Sequence, residues 1–76
     1  MDMNRVFNRD KARKALQVPG SWTSFNGLFV CREYDSNDEL FECEDPGGYM
    51  QVFTRDIEAA LDFLETGEPI PENKVV

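Results

Sequence analysis

A chain of 76 residues accommodates one small domain. Its 41% hydrophobic content, with six Phe, two Tyr and one Trp, is enough for a compact core and argues against disorder. It has no histidine and only two cysteines, which removes the commonest general base and any four-ligand structural zinc site. Eight cations stand against fifteen acids, a net charge of −7. The charge is divided along the chain. Residues 1–30 carry Arg5, Arg9, Lys11, Arg13 and Lys14 against Asp2 and Asp10, a net of +3. Residues 31–76 carry three cations against thirteen acids, a net of −10.

Residues 4–17 predict a short basic helix, with Asn4 or Asn8 as N-cap and Pro19-Gly20 as its stop. Phe7, Ala12, Ala15, Leu16 and Val18 form its apolar stripe. Residues 21–27 read as a turn-rich segment, with Trp22 and Phe25 as lids on the core, the alternative being Trp22 as an exposed interface anchor. Three strands follow, Leu28 to Tyr34, Glu39 to Glu44 and Tyr49 to Phe53, separated by turns at 35–38 and at Asp45-Pro46-Gly47-Gly48. Thr54 is placed to cap a second helix with Asp56 in its first turn, and Gly67-Glu68-Pro69 ends it. Ile57, Ala60, Leu61 and Leu64 recur at helical spacing as its core-facing stripe. The expected fold is α+β in the order α-β-β-β-α, a three-stranded antiparallel sheet with helix packed on one face. It forms a single domain over residues 1–76, with 68–76 as an extended tail.

Two registers are open for the hairpin closed at 35–38. In the first, Val30 pairs with Cys43 and Arg32 with Phe41, so that Leu28, Val30, Tyr34, Phe41 and Cys43 share a core face. Glu33, Glu42 and Glu44 then share the other face with Phe29, Cys31 and Leu40. A one-residue slip instead sets Cys31 opposite Cys43 and Arg32 opposite Glu42. The first register has the cleaner core. The core expected is Leu28, Val30, Phe41, Val52, Ile57, Leu61 and Leu64.

The acids carry the functional reading. Residues 33–45 hold Glu33, Asp35, Asp38, Glu39, Glu42, Glu44 and Asp45 with no base among them. The second helix adds Glu58, Asp62 and Glu65 at i, i+4 and i+7, and no base lies between Arg55 and Lys74. Like charges so placed oppose one another on a strand or a helix face, whereas a merely solubilising surface intersperses the two signs. Such a surface is repelled by nucleic acid and attracted to the basic grooves that hold it. These ten acids are the candidate partner-binding residues. No phosphate-binding loop, nucleophile elbow or complete calcium loop is present, so no enzyme activity, cofactor or metal is expected. Apolar runs of a few residues predict neither a membrane span nor a signal-peptide core, and a cytoplasmic protein with reduced thiols is expected.

In size, acidity, compactness and missing catalytic equipment, the chain resembles the small proteins that phages encode against bacterial defence systems, notably anti-CRISPR proteins. The resemblance implies an inhibitor that occupies the nucleic-acid-binding surface of a defence complex in the bacterial host. More locally, Asp45-Pro46-Gly47-Gly48-Tyr49, Ile57-Glu58-Ala59-Ala60-Leu61 and Gly67-Glu68-Pro69-Ile70-Pro71-Glu72 are similar to HicB-type antitoxins. That likeness covers about 28 residues, and implies a ribonuclease toxin as the partner.

Overall fold

The computed structural model describes residues 6–34, 39–47 and 51–76. A short helix α1 (Arg9–Ala15) precedes four strands, β1 (Trp22–Phe25), β2 (Leu28–Arg32), β3 (Phe41–Glu44) and β4 (Gln51–Thr54). Helix α2 (Ile57–Thr66) follows, and a single 3-10 turn, Glu72–Lys74, lies near the C-terminus. The strands form one antiparallel sheet in the order β1-β2-β3-β4, with both helices on the same face. The α+β class and the antiparallel sheet are as expected, but there are four strands rather than three.

The additional strand is β1, in the segment expected to be turn. Asn26 and Gly27 both take positive φ, 54° and 80°, which is the backbone of a two-residue hairpin whose twist suits the flanking strands. That hairpin sets Phe25 opposite Leu28 and Trp22 opposite Cys31. In the next hairpin Val30 faces Cys43 and Arg32 faces Phe41, the first of the two registers considered. Cys31 and Cys43 therefore point to opposite faces of the sheet, and both thiols are free. Burial raises the Cys43 thiol to about 12.

Helix α1 begins at the second of its two candidate caps, where the Asn8 side chain accepts from the Lys11 N–H at 3.0 Å. Ala12 and Leu16 are buried, and Phe7 packs edge-on against Phe25 with ring centroids 5.2 Å apart. Val18, expected in the same stripe, lies beyond the last turn and is exposed. The Arg32 guanidinium reaches from the sheet to donate to the carbonyls of Leu16 and Gln17 at 3.2 and 2.9 Å. It thereby satisfies acceptors that the end of α1 leaves open.

Helix α2 is capped by Asp56 rather than Thr54. The Asp56 carboxylate accepts from the N–H groups of Glu58 and Ala59, while the buried Thr54 hydroxyl accepts from Asp56 N–H at 3.1 Å. Asp56 directly precedes the first helical residue, whereas Thr54 still belongs to β4, and the Asp56 carboxylate also meets the positive end of the helix dipole. Gly67 closes the helix in the left-handed conformation, φ 77°, and donates to the Phe63 carbonyl at 2.9 Å.

The core lies between α2 and the sheet. Val30, Phe41, Leu61 and Leu64 are fully buried, and Leu28, Val52 and Ile57 pack around their margin, so all seven expected positions contribute. Ala59, Ala60, Phe63, Cys43 and Ile70 join it, as do Ala12 and Leu16 from the α1 side. Two aromatics depart from expectation. Tyr34 is 74% exposed, because β2 ends at Arg32 and its ring lies against Gly20 rather than under the helix. Trp22 is 59% exposed, because the register of β1 turns it to the face that the helices leave open. The tail beyond α2 does more than extend. Ile70 enters the core, Val75 bridges to Thr54, and the Val76 N–H donates to the Phe53 carbonyl at 2.8 Å along the outer edge of β4.

Candidate functional site

Alternation along four paired strands sorts their side chains into two faces. Thr23, Val30, Cys43 and Val52 form one cross-strand row beneath the helices. On the opposite face, Trp22, Cys31, Glu42 and Phe53 form one row, and Ser24, Phe29, Glu44 and Gln51 form the next. Glu33 continues the same alternation beyond β2, where its N–H donates to the Leu40 carbonyl at 2.9 Å. Within the strands this open face holds two acids and three aromatics and no cation.

The electrostatics follow from that placement. Partial burial, and then the neighbouring charges of Glu44 and Glu33, push the Glu42 carboxyl above its ordinary value. Burial raises the Cys31 thiol, and Glu42, Glu44 and Glu33 raise it further. Three carboxylates thus act on one patch, where ionisation of Glu42 and of the Cys31 thiol is disfavoured.

The acids of α2 are in a different situation. They were expected to form an uncompensated stripe, but α1 lies beside α2 and supplies its counter-charges. Arg9 contacts Glu58 and Asp62 at 2.8 Å each and Glu65 at 3.2 Å. Arg13 contacts Glu58 at 2.8 Å and Asp10 at 3.3 Å. Hydrogen bonds donated by Arg9 and then Arg13 hold the Glu58 carboxyl below its usual range, and donating to Glu58 and Asp62 raises the Arg9 guanidinium. The basic helix and the acidic helix therefore neutralise each other.

The ten sequence-predicted acids consequently separate into groups. Glu33, Glu42 and Glu44 come together on the open face. Glu58, Asp62 and Glu65 come together on α2, already paired. Glu39 is exposed before β3 and lines an open groove of about 570 Å3 with Arg55, Asp56 and Lys74, the last two joined by an ion pair at 2.6 Å. Asp45 is half-buried just after β3. Asp35 and Asp38 lie outside the described residues.

Of the two readings of Trp22, core lid and exposed interface anchor, the exposed one holds, although Trp22 was not among the expected partner-binding residues. Its ring lies 5.9 Å from that of Phe29, tilted by 44°, so the two form one exposed aromatic pair beside the acids. The Asn26-Gly27 dipeptide carried the signal: read as a hairpin, it places Trp22 across from Cys31 and on the open face. Among the described residues no group of acids and thiols is arranged to hold a metal ion, and no helix is long and apolar enough to cross a membrane. No protein-family model, curated protein or solved structure matches the chain.

Proposed function

We propose that the chain is a non-enzymatic inhibitor that binds a protein through the open face of its sheet. Glu33, Glu42 and Glu44 stand there where the phosphates of a nucleic acid would lie in the partner's basic groove. The observation that carries this reading is a sheet face whose strand residues bear neighbouring carboxylates and no cation, opposite the face on which both helices pack. Such an arrangement opposes folding, since like charges across a sheet repel. A basic partner relieves that repulsion on binding and is steered to it at long range. The partner class is a nucleic-acid-binding effector of a bacterial defence system, met in the cytoplasm of the host, as for phage anti-defence proteins.

The segment similar to HicB-type antitoxins has local structural duties that stand apart from any partner. Gly67 caps α2 and Ile70 fills the core beneath it.

The test is affinity capture of nucleic-acid-binding proteins from a bacterial lysate, at low and high salt, with and without added DNA and RNA. Capture that weakens as salt rises, and that nucleic acid competes away, is the expected result, since the Debye length shortens from about 10 Å at 0.1 M to about 3 Å at 1 M. A chain carrying Glu33→Lys, Glu42→Lys and Glu44→Lys loses the partner while keeping its fold. Undiminished capture by that variant refutes the proposal.

A further inference from the structure

The open face is more than acidic, and its aromatic part says which cation it suits. Phe29 is directly across from Glu44 in the β2–β3 pairing, where opposed side chains stand about 5 Å apart at Cβ. Trp22 leans over the same Phe29 from the neighbouring strand. Trp22 is 59% and Phe29 38% exposed, so an aromatic surface open to solvent adjoins a carboxylate at its edge. A second copy of this chain does not suit the face, because it would bring a second row of carboxylates against the first. A planar cation does: a guanidinium stacks on an aromatic face while its fork of N–H groups meets a carboxylate in two parallel hydrogen bonds. A lysine ammonium is a compact, strongly hydrated point charge and has no plane to stack.

We infer that the Trp22–Phe29 pair and Glu44 form a seat for an arginine side chain of the protein partner, with Glu42 and Glu33 drawing in further cations around it. This inference rests on the reading of the open face as the partner-binding surface and adds the residue type that the face selects. It also gives the aromatics a role that phosphate mimicry by acids alone leaves empty.

The test titrates the full chain with nona-arginine and with nona-lysine by calorimetry at low salt, and follows the fluorescence of Trp22, the one tryptophan of the chain. Nona-arginine binds about two- to fivefold more tightly than nona-lysine, the ratio expected of an exposed cation–π contact, and shifts the Trp22 emission. Trp22→Ala and Phe29→Ala bring the two peptides to parity without weakening nona-lysine. Glu44→Gln weakens nona-arginine more than Glu68→Gln does on the exposed tail. Far-UV circular dichroism establishes that each variant is folded; should Phe29→Ala unfold, Phe29→Leu removes the ring while keeping the bulk. Equal affinities for the two peptides in the parent chain, or a preference for arginine that survives loss of both rings, overturn the arginine seat. If Glu33→Lys, Glu42→Lys and Glu44→Lys together then still abolish binding, the acidic-face reading stands without it. Failure of both peptides to bind the parent chain overturns both.

Discussion

Replacing Glu42 by Gln stabilises this protein, because the carboxylate is partly buried and is held where two others repel it. Glu44 is two residues along the same face of β3, a separation of about 6.8 Å at the rise of an antiparallel strand. Glu33, one residue beyond β2, lies diagonally across from Glu42, about 7 Å away. Two unit charges 7 Å apart interact by about 0.6 kcal/mol in water, and screening at physiological salt reduces this to about 0.25 kcal/mol. Two such neighbours give about 0.5 kcal/mol, equivalent to about 2–4 °C in Tm for a domain of this size. Because the folded state raises the Glu42 pKa, the penalty is present when the group is ionised, grows as pH rises from the ordinary carboxylate value to the raised one, and vanishes in acid. Thermal melts of the parent and Glu42→Gln at pH 7 and pH 3, each at low salt and in 1 M salt, measure it. The gain appears at pH 7 in low salt and shrinks under the other conditions. A Tm at pH 7 equal to or below that of the parent refutes this account, and a gain that 1 M salt leaves intact refutes the repulsion among the three carboxylates.

Leu61→Ala, at a fully buried position on α2, costs about 2–5 kcal/mol by lost burial and the cavity left behind. A domain of this length has a total stability of only about 4–11 kcal/mol, so the denaturation midpoint falls sharply; an unchanged midpoint means that α2 does not pack as described. Asp56→Ala removes the α2 cap and the partner of Lys74, and costs about 1 kcal/mol at neutral pH. The Lys74 hydrogen bond, followed by those from Glu58 and Ala59, depresses the Asp56 pKa. Its contribution is therefore complete above the ordinary carboxylate range and is lost as pH falls through the depressed value. A series of melts between neutral pH and pH 2 finds a shallower acid limb in the variant than in the parent.

Much of this fold was legible from local patterns. The i, i+3, i+4, i+7 stripe of α2 and its Gly67 stop are local features, and they fell where periodicity and turn chemistry put them. The β2–β3 register was legible too, because only one of its two alternatives assembles a clean apolar face from Val30, Phe41 and Cys43. Strand β1 escaped because Trp22-Thr-Ser-Phe25 is short, half polar and rich in residues that also make turns, so its alternation is hidden. The acids of α2 escaped for a different reason. Arg9 lies 49 to 56 residues from Glu58, Asp62 and Glu65, and no sequence window spans the helix packing that brings them together.

That pairing changes what the charge asymmetry of the chain means. Read along the sequence, a net of +3 ahead of −10 suggests one basic arm and one large acidic surface. In the fold, Arg9 and Arg13 of the basic arm are directed at Glu58, Asp62 and Glu65. Ion pairs this exposed contribute little to stability one by one, since solvent screens them and long side chains lose freedom in making them. Their larger consequence is to confine the field. With the helical acids neutralised and Asp56 held by Lys74, the carboxylates gathered on the sheet are Glu33, Glu42 and Glu44, beside the exposed Trp22 and Phe29. Under the proposed function, a cationic partner is therefore drawn toward the sheet rather than toward the paired α1–α2 surface. The sheet is also where flat aromatic rings allow close contact once it arrives. Long-range attraction and short-range fit coincide on one face, which is the arrangement that a competitor for a basic groove requires.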